Sequence, residues 1–265
     1  MGEPLIQARS IVQYSAEAGS SPAGRRSVQV ILDQVNLMIE HGSSVGLVGE
    51  SGSGRTTLAR ILAGLVRPDE GSVAWLGQDI FGLKRGAWKD YRRAIQYVFQ
   101  DPLKSMNPRQ TVRAMLMTPM RALTDRNKRA RALHTEEVLD LVGLSSEILD
   151  RHPLQMSGGQ LQQVAIARAL AVDPDLLILD EPMSAMDVSV QAQRLHMLTR
   201  IRQNLGVAYL LLSNNLPIVE RLCDQVTVLK MGRVVEQGSC AQVLSRPHDA
   251  YTRQLCAAVP GLPTE

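Results

Sequence analysis

The chain has 265 residues, enough for one large α/β domain or one domain carrying an insertion. Hydrophobic residues make up 45% and charged residues 21%, an ordinary globular balance, and a net charge of +3 gives no ground for nucleic-acid binding. Aromatics at 3% leave no stacking platform for single strands, and no apolar run approaches the roughly 20 residues that cross a bilayer.

In chain order, Met1-Gly2-Glu3-Pro4 opens with an acid and lacks a basic-then-apolar leader. Residues 5–13 alternate as a strand and Tyr14 follows it. The stretch from Ser15 to Arg26, rich in Ser, Ala and Gly, reads as a flexible loop. Val28, Val30, Leu32, Val35, Leu37 and Ile39 suggest strands of period two. His41-Gly42 then turns the chain into a short apolar run, Val45-Gly46-Leu47-Val48. Next comes Gly49-Glu50-Ser51-Gly52-Ser53-Gly54-Arg55-Thr56-Thr57, followed by Leu58-Ala59-Arg60-Ile61-Leu62-Ala63 at helical spacing. Buried strand, glycine-rich loop and helix, in that order, make a phosphate-binding loop. Glycines let the backbone curl so that successive N–H groups face an anion, and the helix start adds unpaired donors. Thr56 stands where a hydroxyl ligates Mg²⁺. The usual pattern, G-x-x-x-x-G-K-[ST], has Lys where this chain has Arg55.

Gly71–Gly77 and Ala94–Phe99 read as further strands, the second ending at Gln100-Asp101-Pro102. From about 101 to 156 helical periodicity dominates, through Val112, Met115 and Leu116 and then Val138, Leu139, Leu141 and Val142, with Gly143 as a stop. The Arg126–Arg131 run is expected to be the solvated face of that layer. Ser157 and Gln160 have capping-box spacing, so Gly158 and Gly159 sit at a helix start that faces anions. Asp175–Asp180 is a fully apolar strand between acids, and with Glu181 it ends in two carboxylates, as fits a central parallel strand. A helix over 188–204 presents Ala192, Leu195, Leu198 and Ile201. A second buried strand, Val207–Ser213, ends at Asn214-Asn215, a hairpin over 225–236 turns at Met231-Gly232, and 239–258 reads as short helices. Cys223, Cys240 and Cys256 lack metal-ligand spacing and read as free thiols in a reducing compartment, inert and hydrophobic.

Together these motifs resemble the ATP-binding subunit of an ABC transporter over nearly the whole chain. The resemblance implies an α/β fold, the P-loop NTPase fold of ABC ATPases, with an antiparallel β subdomain and an inserted α-helical subdomain. The cassette would span 1–240, with the helical insertion at about 101–156, and a short helical extension would span 241–265. The resemblance makes Gly49, Ser51, Gly52, Gly54, Arg55, Thr56 and Thr57 the phosphate loop and Gln100 the Q-loop. It makes Ser157, Gly158, Gly159 and Gln160 the signature, 176–180 the strand ending in Asp180, and Glu181 the catalytic glutamate. Ser184-Ala185-Met186-Asp187 matches the D-loop, Asn214 takes the switch-histidine place, and Tyr14 is the candidate for stacking on adenine. ATP and Mg²⁺ are the implied cofactors, with Thr56 and Gln100 as metal ligands and Asp180 helping through water. Glu181 would polarise the attacking water and Asn214 would contact the γ-phosphate. The signature residues would touch the ATP of a partner ATPase subunit.

Within the family, Phe99-Gln100-Asp101-Pro102, Ser105–Arg109 and Arg246–Thr252 with Ala257–Pro260 look like the peptide and nickel importers. Some members carry a cysteine cluster beyond that point; none stands here, so no iron–sulfur cluster is expected. The resemblance implies a subunit on the cytoplasmic face of the membrane, with two permeases and, indirectly, a solute-binding protein. Two departures bear on activity. Arg55 keeps the charge of Lys but is longer and forked, which is either tolerated or distorting. Asn214 is shorter than His and always neutral, and it either contacts phosphate weakly or caps the next helix. With the signature intact, the pattern is asymmetric: an impaired own site and a segment serving the partner's. The rival readings are an ABC ATPase without a permease and a non-hydrolysing nucleotide clamp.

Overall fold

The computed structural model describes residues 3–15, 29–183 and 187–259. The chain divides into two compact units, Met1–Leu83 with Leu211–Glu265, and Lys84–Leu210.

The first unit opens with β1 (Ile6–Ser15), β2 (Gln29–Ile39), β3 (Ser44–Val48), α1 (Arg55–Leu62), β4 (Glu70–Trp75) and β5 (Gln78–Asp79). Four of these strands form an antiparallel sheet in the order β2-β1-β4-β5. The period-two pattern of β2 holds but shifts phase once, from buried Leu32 to buried Val35, Leu37 and Ile39. Gln34, at φ 50, is the extra residue of a bulge that resets the alternation. The expected loop over 15–26 lies outside the described residues except for Ser15, which ends β1.

The second unit holds α2 (Arg85–Ala94), β6 (Ile95–Val98), α3 (Val112–Leu123), α4 (Lys128–Leu141), α5 (Gly158–Leu170), β7 (Leu176–Asp180) and α6 (Val188–Leu205). The chain passes back to the first unit within β8 (Ala208–Leu212). Sequence periodicity misses α2, because only Tyr91 and Ala94 of its ten residues are buried. The expected strand accordingly starts at Ile95 and not at Ala94. β6 runs parallel to β7, whose five residues are all buried. Side chains start two of the helices of this unit: Thr111 accepts from Ala114 N–H on α3, and Asn127 accepts from Ala130 N–H at 2.9 Å on α4. Gly143, at φ 73, supplies the left-handed residue after α4.

Two expectations fail here. The basic run is not wholly a solvated face: Arg126 pairs with Asp173, and Arg131 Nη1 donates to the carbonyl of Arg126 at 2.8 Å. The run begins before α4, so its first arginine is free to turn inward toward a carboxylate. The buried stripe of α6 is also out of phase with the reading. Ala192 is exposed and Leu195 half-buried, whereas Arg194, Leu198 and Ile201 are buried. Helical spacing alone allows either phase, and an arginine on the inner one concealed the true face.

The first unit resumes with α7 (Leu216–Leu222), β9 (Gln225–Lys230), β10 (Arg233–Ser239), α8 (Cys240–Ser245) and α9 (Ala250–Ala257). β3 pairs parallel with β9, and β9 antiparallel with β10. The hairpin and the short terminal helices are as expected. All three cysteines are buried thiols outside any disulfide, and burial, reinforced by Asp224 and Glu220, pushes the Cys240 thiol up to about 12.

Candidate nucleotide-binding site

In the first unit, β3 delivers the chain into the loop Gly49–Thr57 and α1 leaves it. Three glycines there have positive φ: 152° at Gly49, 81° at Gly52 and 104° at Gly54. At two of them space is also denied. A Cβ on Gly49 would lie 2.2 Å from the carbonyl oxygen of Leu229, and one on Gly54 would lie 2.7 Å from Leu32 Cδ2. The loop is clasped from behind by main chain: Ser53 N–H donates to Glu50 O at 3.1 Å, and Gly232 N–H donates to Ser53 O at 3.0 Å. On its other flank, the N–H of Glu50 donates to the phenolic oxygen of Tyr251, in α9, at 2.9 Å.

Arg55 is the first residue of α1 and is only 7% exposed, while Ser51 and Gly52 face solvent and Thr56 and Thr57 are half-buried. Asn214 follows β8 and is exposed; the N–H of its neighbour Ser213 donates to Leu47 O of β3 at 3.3 Å. The reading of Asn214 as a helix cap is wrong by one residue. Asn215 is the cap of α7, its Oδ1 accepting from Ile218 N–H at 3.3 Å. Asn214 is left without that duty. Tyr14 is 38% exposed on β1, and its hydroxyl donates to Glu70 Oε1 at 3.2 Å.

The second unit gathers the carboxylates. Asp180 ends β7, 6% exposed, and accepts from the Tyr97 hydroxyl at 2.6 Å. Glu181 has the left-handed backbone angle φ 44, uncommon for a side chain of its size, and its Oε2 accepts from Gln100 Nε2 at 2.8 Å. Ser157 and Gln160 form the expected reciprocal cap of α5: Gln160 N–H donates to Ser157 Oγ at 3.2 Å and Ser157 N–H to Gln160 Oε1 at 3.1 Å. Gln100, Gly158, Gly159, Glu181 and Pro182 line one cavity of about 360 Å³ in this unit. Residues 184–186 of the expected D-loop lie outside the described residues.

The comparisons with known proteins decide the family. The ABC transporter family profile matches residues 32–184. The nickel import ATP-binding protein NikE of Escherichia coli K12 is 41% identical over 259 residues, 98% of this chain and 96% of that protein. The oligopeptide transport ATP-binding protein OppF of Salmonella typhimurium is 40% identical over 230 residues, 86% of this chain and 69% of that one. Among solved structures, the dimeric bacterial ABC transporter cassette MJ0796 superposes with a TM-score of 0.78 at 26% identity, covering 89% of this chain and 98% of its own. The same cassette in a dimeric post-hydrolysis state bound to ADP and Pi gives 0.76, again at 26% identity and 89% and 98% coverage.

The chain belongs to the ABC transporter family. Its fold is that of the ABC ATPases, an α/β fold with an antiparallel sheet, and ATP with Mg²⁺ is the ligand of that family. The residues present fit such a ligand. A triphosphate needs a concave run of amides with no Cβ in the way, and Gly49 and Gly54 have room for none. Ser53 Oγ is buried in the loop with no hydrogen-bond partner among the described residues, a group that an anion would engage. Thr56, in the first turn of α1, offers a hydroxyl beside the positive helix end.

Three residues of this cassette escaped the sequence reading. Tyr97 looked like one more apolar strand residue and instead holds Asp180. Tyr251 sits 201 positions from the amide it accepts from. Arg194, 5% exposed, donates from Nη1 to Pro182 O and from Nη2 to Gly159 O, both at 3.2 Å, tying the segment after Glu181 to the start of α5. Burial disfavours its charged form and lowers its pKa. The available signal was an arginine four residues before Leu198 and seven before Ile201, in phase with both.

Proposed function

We propose that this chain is the nucleotide-binding subunit of a membrane import system whose cargo is nickel, a metal chelate or a peptide. The observation that supports it most is the 41% identity to NikE across 98% of the chain, with OppF at 40%. In this reading residues 1–240 are the cassette with its helical insertion at about 101–156, and 241–265 are appended. The chain pairs with a second ATP-binding subunit, as the dimeric cassettes it resembles do, and sits against two permeases supplied by a solute-binding protein. No helix among the described residues is long and apolar enough to cross a membrane. In this reading the subunit meets the permeases at the cytoplasmic face.

The residue roles follow the chemistry. Gly49, Ser51, Gly52, Gly54, Arg55, Thr56 and Thr57 hold the phosphates, and Tyr14 stacks on the base. Thr56 and Gln100 would hold Mg²⁺, with Asp180 helping through water, and a metal bound there would supply positive charge to the phosphates. Glu181 orients and polarises the attacking water, and its Oε2 accepts from Gln100 Nε2 at 2.8 Å. Ser157, Gly158, Gly159 and Gln160 contact the partner's nucleotide. Asn214 contacts the γ-phosphate.

The own site is impaired and the signature serves a competent site on the partner. Supporting this, Asn214 is neutral at a place where a histidine is expected, and Arg55 is buried at the lysine place. The test is ATP turnover of the assembled complex with Glu181→Gln here, against the matching change in the partner. The partner's change is expected to abolish turnover and this one to leave most of it. Equal loss from both removes the asymmetry, and a nucleotide clamp that never hydrolyses predicts no loss at all from Glu181→Gln.

A further inference from the structure

α9 lies in the C-terminal segment, far in sequence from the phosphate loop, yet it reaches that loop. Asp249 caps it, accepting from Tyr251 N–H at 2.8 Å, and thereby fixes the orientation of the first turn. Tyr251 is 5% exposed. Its ring lies beneath the Lys230 ammonium, 4.7 Å from the ring centroid, and its hydroxyl oxygen accepts the Glu50 N–H at 2.9 Å. Lys230 ends β9, next to Leu229, whose carbonyl closes the space behind Gly49. One side chain therefore touches both the loop and the strand that backs it.

The peptide linking Gly49 to Glu50 has a glycine on one side, so its plane is set by what its polar groups meet and not by a side chain. If it turns, the amides that follow it lose their common direction. A hydrogen bond to Glu50 N–H sets that plane. Burial raises the Tyr251 pKa, so the phenol stays neutral at physiological pH and the bond is not exchanged for a phenolate.

We propose that Tyr251 is a positioning residue for the nucleotide site, acting through the Glu50 amide, and that docking of α9 and occupancy of the phosphate loop are thermodynamically linked. This rests on the reading of the chain as an ATP-binding cassette. Linkage is reciprocal: if docked α9 tightens nucleotide binding, nucleotide must tighten α9 by the same factor. A neutral hydrogen bond of this kind corresponds to about a 3- to 10-fold change in an equilibrium constant.

The experiment uses the full-length chain with Mg²⁺ and a fluorescent ATP analogue. Tyr251→Phe keeps the ring under Lys230 and removes only the acceptor oxygen. The expected result is an affinity weaker by about 3- to 10-fold with an unchanged melting temperature. Amide exchange in Ala250–Ala257 is measured in parallel. Nucleotide should slow it in the wild-type chain by a similar factor and much less in the variant. A purely structural tyrosine would lower the melting temperature and leave both linked quantities alone. Equal affinities for the two proteins, or α9 exchange indifferent to nucleotide, overturn the proposal while the ATP-binding reading stands. A wild-type chain that binds no nucleotide overturns that reading first, and the linkage with it.

Discussion

The phosphate loop and the carboxylate edge of β7 are built from different materials. Around Gly49–Thr57 the fixed contacts are main chain against main chain, apart from the Tyr251 phenol on Glu50 N–H: Leu229 O behind Gly49, Ser53 N–H to Glu50 O, Gly232 N–H to Ser53 O. Around Asp180 and Glu181 they are side chain to side chain or side chain to carbonyl: Tyr97 to Asp180, Gln100 to Glu181, Arg194 to Pro182 and Gly159. A site made of backbone is indifferent to which side chains it carries but fails if a single Cβ is added. A site made of side chains has the opposite weakness.

The sharpest way to break this contrast is Gly49→Ala. The new Cβ would sit 2.2 Å from Leu229 O on a residue with φ 152, so neither partner can yield cheaply. A loss of about 3 kcal/mol in urea unfolding, with loss of nucleotide binding, is expected. Gly52→Ala is the control: a Cβ there meets nothing within 4 Å, and only the φ of 81° resists it, so about 1 kcal/mol is expected. If both alanines cost the same, close approach is not what constrains the loop.

On the side-chain-built half, Arg194→Ala should cost about 2 kcal/mol, because two carbonyls lose their donor and a cavity opens. Arg194→Met fills the space and drops the buried charge, so it should cost about 1 kcal/mol or less. Both variants release Pro182, and with it the segment that holds Glu181 at its positive φ. Urea midpoints rank the two, and a methionine penalty as large as alanine's would show that the lost charge and its two hydrogen bonds, not the cavity, carry the cost.

A smaller effect separates two neighbouring asparagines of the first unit. Asn215→Ala removes the cap of α7 and should cost about 1 kcal/mol, whereas Asn214→Ala should change stability by no more than about 0.5 kcal/mol. Thermal melts of the two variants decide it. Asn214 would then matter only to nucleotide.

This same pair shows what could be read in the sequence. Motifs that are local in the chain were legible, because strand, glycine loop and helix start are fixed by spacing alone: the 49–57 loop, the Ser157–Gln160 cap and the buried run of β7 all lie where their residue order puts them. What escaped depends on contacts between distant positions or on helical phase. Asn214 and Asn215 are both plausible caps by type, and only backbone geometry assigns the duty to the second. Arg194 lies inward because Leu198 and Ile201 do, a choice the apolar Ala192 and Leu195 obscured. Tyr97 and Tyr251 act through single hydroxyl groups on partners 83 and 201 positions away, and no periodicity encodes that.

The weakest expected effect tests whether the second unit, held by ionisable side chains, responds to pH where the loop does not. His134 on α4 lies with Nδ1 2.8 Å from Glu137 Oε2 and Nε2 3.2 Å from Asp173 Oδ1, and Asp173 also pairs with Arg126. The Asp173 carboxylate beside Nε2 raises the His134 pKa, helped by Glu137 and opposed by burial and by Arg126. Burial works against the Asp173 carboxylate, but its bonds to His134 and Arg126 prevail and lower its pKa. A histidine pKa raised on folding stabilises fully below its unfolded value, about 6.5, and that contribution disappears as pH climbs through the folded value. A carboxylate pKa lowered on folding stabilises above about 3.9 and is lost as pH falls through the folded value. Both contributions are therefore complete between about pH 4 and 6.5, and the histidine part fades above that window as pH climbs through its raised pKa. His134→Gln keeps a hydrogen-bonding head and cannot ionise. The wild-type chain should exceed it in stability at pH 6 by about 0.5 kcal/mol more than it does at pH 8.5, the scale of a partly exposed ion pair. Nucleotide affinity of the loop, whose bracing is all main chain and one neutral phenol, should not distinguish the two proteins at either pH. A variant that alters affinity as well would mean that the side-chain network of the second unit reaches the backbone-built loop of the first.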